Sequence, residues 1–339
     1  MFVIRNVNLK DLEDIFELSQ LMQFINIPND KDLLETKIQK SLKSFKGELS
    51  KEESTYIFVL EDLQKKKVIG ISLIHGLHGT EEEPHFYLTV GQEHKYSQSL
   101  NTGFIHGTLK FGHTTKGFTE IGGLVLNPTY RGHEQKLGKA LSFARFLFIG
   151  QNKSLFTDTI HVELMPPFDS EGKSPLWEAV GRQFLNMNYH DADILSRKNK
   201  EFILSLFPHD TIYEALLPLA ARDAIGKVGE QTAPVKTMLE SIGFEYVNEV
   251  DPFDGGPHYR AALDKITKIN QIKSYTVVSK SSDKKQCFLL STQHPEYTFY
   301  CPLLSGQETQ GENGDELTID PKIEKEKFIT QPSGLGFSY

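Results

Sequence analysis

Cysteine is scarce, with only Cys287 and Cys301 in 339 residues. This excludes a disulfide scaffold and points to a reducing compartment where both thiols act as small buried hydrophobes. No apolar run approaches the roughly 18 residues that a membrane-spanning helix needs. The N-terminus, Met1-Phe2-Val3-Ile4-Arg5, lacks the charged-then-apolar run of a signal peptide. These absences predict a soluble, cytoplasmic protein. Basic charge is in deficit as well: 37 Lys and Arg against 45 Asp and Glu leave a net charge of −8. Such a balance argues against nucleic acid or an anionic membrane as a partner, while leaving room for a local basic pocket. What the chain has in quantity is apolar matter, 38% hydrophobic and 11% aromatic. That excludes a disordered chain and suffices for one large domain or two ordinary ones.

The N-terminal half alternates strand and helix signals. Phe2–Ile4 are extended-type residues, and Asp11 is positioned to cap a helix whose face carries Leu12, Ile15, Phe16, Ser19 and Met22. A second amphipathic helix is predicted over Asp32–Phe45. A hairpin follows, Tyr56–Leu60 and Val68–Ile74 about a lysine-rich turn. Further strands are predicted at His85–Val90 and at Glu120–Leu126, the last stopped by Asn127-Pro128. Leu137, Ala140, Leu141, Ala144 and Phe148 then repeat at helical spacing, and Gly150 reads as the stop.

The second half reuses these parts. His161–Leu164 reads as a strand, and Ser174-Pro175 opens a helix with Trp177, Val180, Gly181 and Phe184 facing inward. Phe202, Ile203 and Leu206 mark another helix, ended by Pro208. Thr232 is a cap for a third carrying Val235, Met238, Leu239 and Ile242, with Gly243 as its stop. Asp251–Pro257 is a tight turn cluster. Beyond Ile272 helical spacing vanishes, short strands are predicted at Tyr275–Val278, Cys287–Leu290 and Tyr297–Tyr300, and the polar Gly306–Asp315 stretch suggests a loose tail.

The most informative unit is the strand through Leu124 and Leu126, the loop Asn127–Gly132 with Arg131, and the helix beginning Leu137-Gly138-Lys139. Backbone N–H groups at a helix N-terminus bind phosphate without special side chains, and Arg131 and Lys139 add charge suited to a pyrophosphate. An ordinary strand-to-helix connection with a solvated basic loop accounts for the same residues equally well. It is not a Walker loop, because no Gly-Lys-Ser/Thr ends it. Histidines show no helical metal spacing and no cysteine pair is spaced for zinc, so no metal is expected. No Gly-x-Ser-x-Gly elbow supports a serine hydrolase. Glu163 lies on an apparently buried strand, where a carboxylate needs a cationic partner. It reads as a grip for a substrate guanidinium or as the partner of an internal arginine.

Several short motifs in one order resemble the arginine (arginine/ornithine) N-succinyltransferase family. They include Val3-Ile4-Arg5, Phe58–Asp62, Glu120–Leu124, Pro128-x-Tyr130-Arg131, and Leu141-Ser142-x-x-Arg145-Phe146-Leu147-Phe148. Ser174–Trp177, Gly181-Arg182-x-Phe184, Gln231–Pro234 and Phe253–Pro257 continue the series. The resemblance implies an α+β fold of GNAT-like (acyl-CoA N-acyltransferase) type. It would comprise two GNAT-like halves, residues 1–155 and 156–271, with a small β extension and tail over 272–339. It also implies transfer of succinyl from succinyl-CoA, a co-substrate rather than a permanent cofactor, to the α-amine of arginine, in a homodimer. On this resemblance Leu124 contacts the acyl-CoA, with Leu126 beside it at the strand end. Arg131 and Gly138 bound the pyrophosphate loop, and Lys139 follows it.

Two departures stand out. The path from Arg131 to Gly138 is two residues longer than the family's Arg-x-x-Gly-x-Gly loop and has one glycine fewer. The family's proton-donor His, in His-Pro-x-Thr-Ala-Pro, falls on Gly229 of Gly229-Glu230-Gln231-Thr232-Ala233-Pro234. Three readings follow: an active enzyme with Glu230, a water or, more weakly, His258 in the imidazole's place; an acyltransferase for another amine or acyl-CoA; or an inactive homologue that binds CoA or a partner.

Overall fold

The computed structural model describes residues 1–20, 28–196, 199–280, 286–311, 314–320, 331 and 333–339. Met22, expected to extend the first helix face, lies outside them. In chain order the strands are β1 (Phe2–Asn6), β2 (Thr55–Asp62), β3 (Lys67–His78), β4 (His85–Ser97), β5 (Thr102–Thr114), β6 (Phe118–Leu126) and β7 (Thr159–Glu163). They continue with β8 (Ile212–Tyr213), β9 (Glu245–Val250), β10 (Pro257–Ala262), β11 (Lys273–Ser279), β12 (Gln286–Ser291), β13 (Tyr300–Gly311), β14 (Gly314–Ile319) and β15 (Ser333–Ser338). The helices are α1 (Leu12–Gln20), α2 (Lys31–Phe45), α3 (Leu137–Gln151), α4 (Pro175–Ala179), α5 (Gly181–Leu185), α6 (Tyr189–Ser196), α7 (Glu201–Leu206), α8 (Leu219–Ala224), α9 (Ala233–Glu240) and α10 (Thr267–Asn270). The α+β class expected from the sequence is what the chain adopts.

The chain forms two compact units. One comprises Met1–Leu77, Thr119–Asp158 and Leu263–Tyr339; the other comprises His78–Phe118 and Thr159–Ala262. The units do not follow the expected ranges 1–155, 156–271 and 272–339: His78–Phe118 belongs with the second unit and Leu263–Tyr339 with the first. The crossings at 77 and 118 fall at the end of β3 and the start of β6.

In the first unit β1, β2, β3 and β6 are neighbours in that order, and β1 pairs antiparallel with β13. Ile15, Leu18, Leu34 and Ile38 of the two N-terminal helices pack on Ile57, Val59, Ile71 and Leu73 of the sheet. That burial is what holds two helices of modest length. Asp30 caps α2 by accepting from Asp32 and Leu33 N–H. Asp11 does not cap α1 as expected. Asn8 caps a 3₁₀ turn ahead of it, while Asp11 accepts from Asn8 N–H at 2.7 Å and pairs with buried Arg5. At the C-terminal end β13, β14, β11, β15 and β12 close into a ring, since β12 also pairs with β13. Tyr275, Phe288, Leu290, Leu304, Leu317 and Ile319 fill it. The stretch Gly306–Asp315 is therefore not loose: outside residues 312 and 313, which are not described, it forms the β13–β14 hairpin.

The second unit is an antiparallel sheet in the order β7-β10-β9-β4-β5-β8. Strand β5 escaped the sequence reading because its glycines and polar residues break the alternation; along its length it pairs with β4. Trp177 anchors the core, its ring 4.6 Å from Phe253 and its Nε1–H donating to Met187 O at 2.9 Å. Ser174 caps α4 at Trp177 N–H as expected, with Pro175 in the first turn. The single helix predicted through Phe184 instead breaks at Val180. Any Cβ at Gly181 would sit 2.3 Å from the Trp177 ring, and Phe184 ends up 55% exposed rather than inward.

Candidate active site

The predicted acyl-CoA residues lie in the first unit. Strand β6 carries Leu124 and Leu126, both half-buried, after Gly123 at φ +54°. A 3₁₀ turn over Pro128–Tyr130 leads to exposed Arg131 and to Gly132 at φ +74°, and Lys136 at φ +48° turns the chain into α3. No side chain caps α3, and its first helical bond is Ala140 N–H to Lys136 O at 3.0 Å. The amides of Leu137, Gly138 and Lys139 therefore precede the helical ladder, as anion-binding amides do. Gly138 packs beneath the strand end: a Cβ there would meet Leu126 Cδ2 at 3.7 Å. Lys139 Nζ sits 5.3 Å from the Phe143 ring centre, with its pKa lowered by burial and by Lys136. The structure thus brings Leu126, Gly138 and the α3 amides to one strand-to-helix corner.

The second unit gathers a group of side chains whose convergence the sequence does not signal. Register pairs His258 of β10 with Glu163 of β7, and Arg260 with His161. Directly opposed residues and those two positions apart share a face. His85, at the start of β4, joins them. Glu163 Oε1 lies 3.5 Å from His161 Nε2, 3.6 Å from His85 Nδ1 and 3.8 Å from His258 Nε2. The three imidazoles are at most 1% exposed, whereas the Glu163 side chain is 34% exposed. Burial works to raise the Glu163 carboxyl, but the His161 hydrogen bond and the neighbouring imidazoles hold it well below the usual carboxylate range. Burial pushes His85 far down and His78 down to about 4. Glu163 was expected to meet an internal arginine if no substrate; its neighbours are imidazoles, and Arg260 is engaged by Glu249 and by His161 Nδ1. Local spacing led to no metal being expected, yet three imidazoles and a carboxylate, each offering one donor atom, lie within 4.8 Å of one another. These four side chains come from strands far apart in sequence, so no local spacing announces them.

Gly229, the position to which the resemblance assigns the family's imidazole, lies in the same unit just ahead of α9. Its N–H donates to Met165 O at 2.9 Å, and its carbonyl accepts from Thr232 and Ala233 N–H. Thr232 makes no side-chain cap, contrary to expectation; its backbone carbonyl accepts from Val235 and Lys236 N–H. Glu230 is exposed. Met165 stands two residues beyond Glu163, which places the Gly229 backbone beside the exit of β7. The turn Asp251–Pro257 lies next to the same strands. Asp251 Oδ1 accepts from Phe253 and Asp254 N–H, and Asp254 Oδ1 accepts from Gly256 N–H. Burial raises both carboxyls, Asp251 to about 6 and Asp254 well above its ordinary value.

Comparison with known proteins decides the family. A family profile described as the arginine N-succinyltransferase beta subunit matches residues 2–268. The chain belongs to the arginine N-succinyltransferase family. A relative named arginine N-succinyltransferase, from Yersinia pseudotuberculosis, is 36% identical over 286 residues, covering 84% of this chain and 81% of its own. One named arginine N-succinyltransferase subunit beta, from Pseudomonas aeruginosa, is 35% identical over 298 residues, covering 87% and 86%. The solved arginine/ornithine succinyltransferase subunit AI from Pseudomonas aeruginosa superposes with a TM-score of 0.83 at 26% identity, over 100% of this chain and 98% of that one. Family membership makes the chain an N-acyltransferase by class, as the resemblance implied. No helix among the described residues is long and apolar enough to cross a membrane.

Proposed function

We propose that this chain transfers the succinyl group of succinyl-CoA to the α-amine of arginine. The observation that carries the reading is the family match running from residue 2 to residue 268. In this reaction the amine nitrogen attacks the thioester carbonyl carbon, the C–S bond breaks, the amine loses a proton and the thiolate leaves as CoA. The α3 amides with Arg131 and Lys139 are suited to hold the pyrophosphate. A strand N–H near Leu124 and Leu126 is suited to polarise the thioester carbonyl, in the GNAT-like manner. Glu230, the carboxylate adjoining the position where the family has its imidazole, is assigned the attacking amine's proton. Proximity and carbonyl polarisation would persist without it, so its removal slows the reaction rather than ending it. The same reading carries a cytoplasmic homodimer.

The test is thiol release from succinyl-CoA in the presence of arginine, ornithine or lysine, with acetyl-CoA as the control donor. Arginine-dependent release specific to succinyl-CoA is the expected result. Release with another pair would reassign the substrates, and CoA binding without release would make the chain a non-catalytic relative. Glu230→Gln is expected to lower turnover more than about tenfold; an unchanged rate would remove Glu230 from the mechanism.

A further inference from the structure

We propose that His85, His161, His258 and Glu163 bind one divalent transition-metal ion of the zinc class. Each offers one donor atom, and the four donors lie within 4.8 Å of one another. The three nitrogens stand 3.5, 3.6 and 3.8 Å from Glu163 Oε1. Hydrogen bonds of this kind centre near 2.9–3.0 Å. A tetrahedral ion with bonds of about 2.0–2.1 Å separates its ligand atoms by about 3.3–3.4 Å. The His161 contact is a hydrogen bond at its long limit and the His85 and His258 spacings exceed one, so the four donors surround a point onto which an ion can draw them.

A second observation points the same way. His85 Nε2 and both nitrogens of His258 are buried with no hydrogen-bond partner among the described residues. Buried polar atoms are normally paired, and an unsatisfied cluster needs an explanation such as an ion. Three imidazoles and a carboxylate suit zinc, cobalt or nickel; calcium and magnesium prefer all-oxygen sets. The outer surroundings fit. Glu249 Oε2, held by Arg260, lies 3.8 Å from His258 Nδ1, beyond a hydrogen bond, and is placed to take the Nδ1 proton once Nε2 coordinates the ion. His161 coordinating through Nε2 carries its proton on Nδ1, so Arg260 gives up its 3.3 Å contact there and keeps Glu249. His85 likewise exchanges its 3.0 Å contact with His78 Nε2 for the ion, or offers the unpartnered Nε2. Partly exposed Glu163 gives the ion its way in.

Four protein ligands fill a tetrahedral shell, which is the pattern of a structural site. The ion would clamp β4, β7 and β10 together, and the proposal stands whether or not the chain turns over succinyl-CoA. The test uses the untagged full chain, stripped with chelator. Zinc titrated against a chromophoric competitor is expected to bind at one ion per chain, and zinc but not magnesium is expected to raise the thermal midpoint. Cobalt is expected to give the intense visible bands of a tetrahedral site without a thiolate charge-transfer band, since Cys287 and Cys301 take no part. His258→Ala, checked for folding by near-ultraviolet circular dichroism, is expected to weaken zinc binding more than about tenfold. Failure of the stripped chain to bind stoichiometric zinc would overturn the proposal, as would unaltered affinity in a folded His258→Ala. If that variant does not fold, the wild-type cobalt spectrum decides: a thiolate band or a weak octahedral spectrum overturns the site, and the tetrahedral spectrum upholds it.

Discussion

The amide of Gly229 donates to the carbonyl of Met165 at 2.9 Å, holding the position to which the resemblance assigns the family's imidazole against the residue two beyond Glu163. A Cβ at Gly229 would meet Pro166 O at 3.0 Å and Met165 O at 3.7 Å. Its φ lies outside the left-handed region, so a side chain is allowed once the Pro166 carbonyl gives by a few tenths of an ångström. Gly229→His is therefore expected to fold with a lowered thermal midpoint and to raise kcat at least about tenfold, since general acid–base help is worth about 10²–10⁴-fold. Gly229→Ala is the control for crowding alone. Equal kcat in the two variants would show that the missing imidazole does not limit the rate.

Arg131 and Lys139 flank the uncapped start of α3. Charge-assisted bonds to phosphate contribute about 1.5–3 kcal/mol each, so Arg131→Ala and Lys139→Ala are each expected to raise KM for succinyl-CoA about tenfold or more while leaving kcat nearly unchanged. Succinyl-pantetheine lacks the pyrophosphate and supplies the internal check. Its KM is expected to be the same in wild type and both variants. A matching rise with the truncated donor would mean that the substitutions distort the β6–α3 corner instead of releasing a phosphate.

Arg5 and Asp11 make a two-pronged ion pair, Nη1 to Oδ2 at 2.7 Å and Nη2 to Oδ1 at 2.8 Å, with side-chain exposures of 2% and 4%. Arg5 Nε also reaches Glu61 at 2.6 Å. Asp11 additionally accepts from Asn8 N–H, so one carboxylate ties β1 to the turn that launches α1. Breaking one side of a buried pair costs about 3–5 kcal/mol, because the remaining charge stays buried. Asp11→Asn is expected to fall in that range by urea unfolding. A loss below about 1 kcal/mol, the value of an exposed pair, would show that water reaches Arg5 in the folded state.

Most of this scaffold was legible in the sequence, and the misses have physical causes. Apolar runs located β2, β3 and β6, and helical spacing α2 and α3, because each is a contiguous segment whose burial is written in its own residues. The β5 strand did not declare itself, since its glycines and polar residues give no alternation and its partner β4 supplies the backbone bonds. Asp11 read as a cap because local spacing cannot foresee a buried arginine six residues away in another element. The strand–loop–helix corner around Arg131 and Gly138 was legible because it is contiguous. The His85–His161–Glu163–His258 group was not, because register between β7 and β10 and the start of β4 creates it, and register is a property of the folded sheet.

Asp251 supplies a pH test. Burial first, and then the Glu163 charge, push its carboxyl up from 3.8 to about 6. An acid whose folded pKa is raised contributes its full stability below the unfolded pKa and loses it as pH rises through the folded pKa. The loss window therefore runs from about pH 4 to about pH 6, with the charged form disfavoured above it. Asn at this position has no proton to lose, and its Oδ1 can still accept from Phe253 and Asp254 N–H as Asp251 does at 2.7 and 3.0 Å. Asp251→Asn is thus expected to match wild type in urea unfolding near pH 4 and to exceed it near pH 8 by up to about 3 kcal/mol, a shift of about two pKa units at about 1.4 kcal/mol each. Chelator-stripped protein keeps bound metal out of the comparison. A gain that is the same at both pH values would assign the effect to packing, and no gain at pH 8 would mean that the Asp251 carboxylate is solvated or compensated in the folded chain.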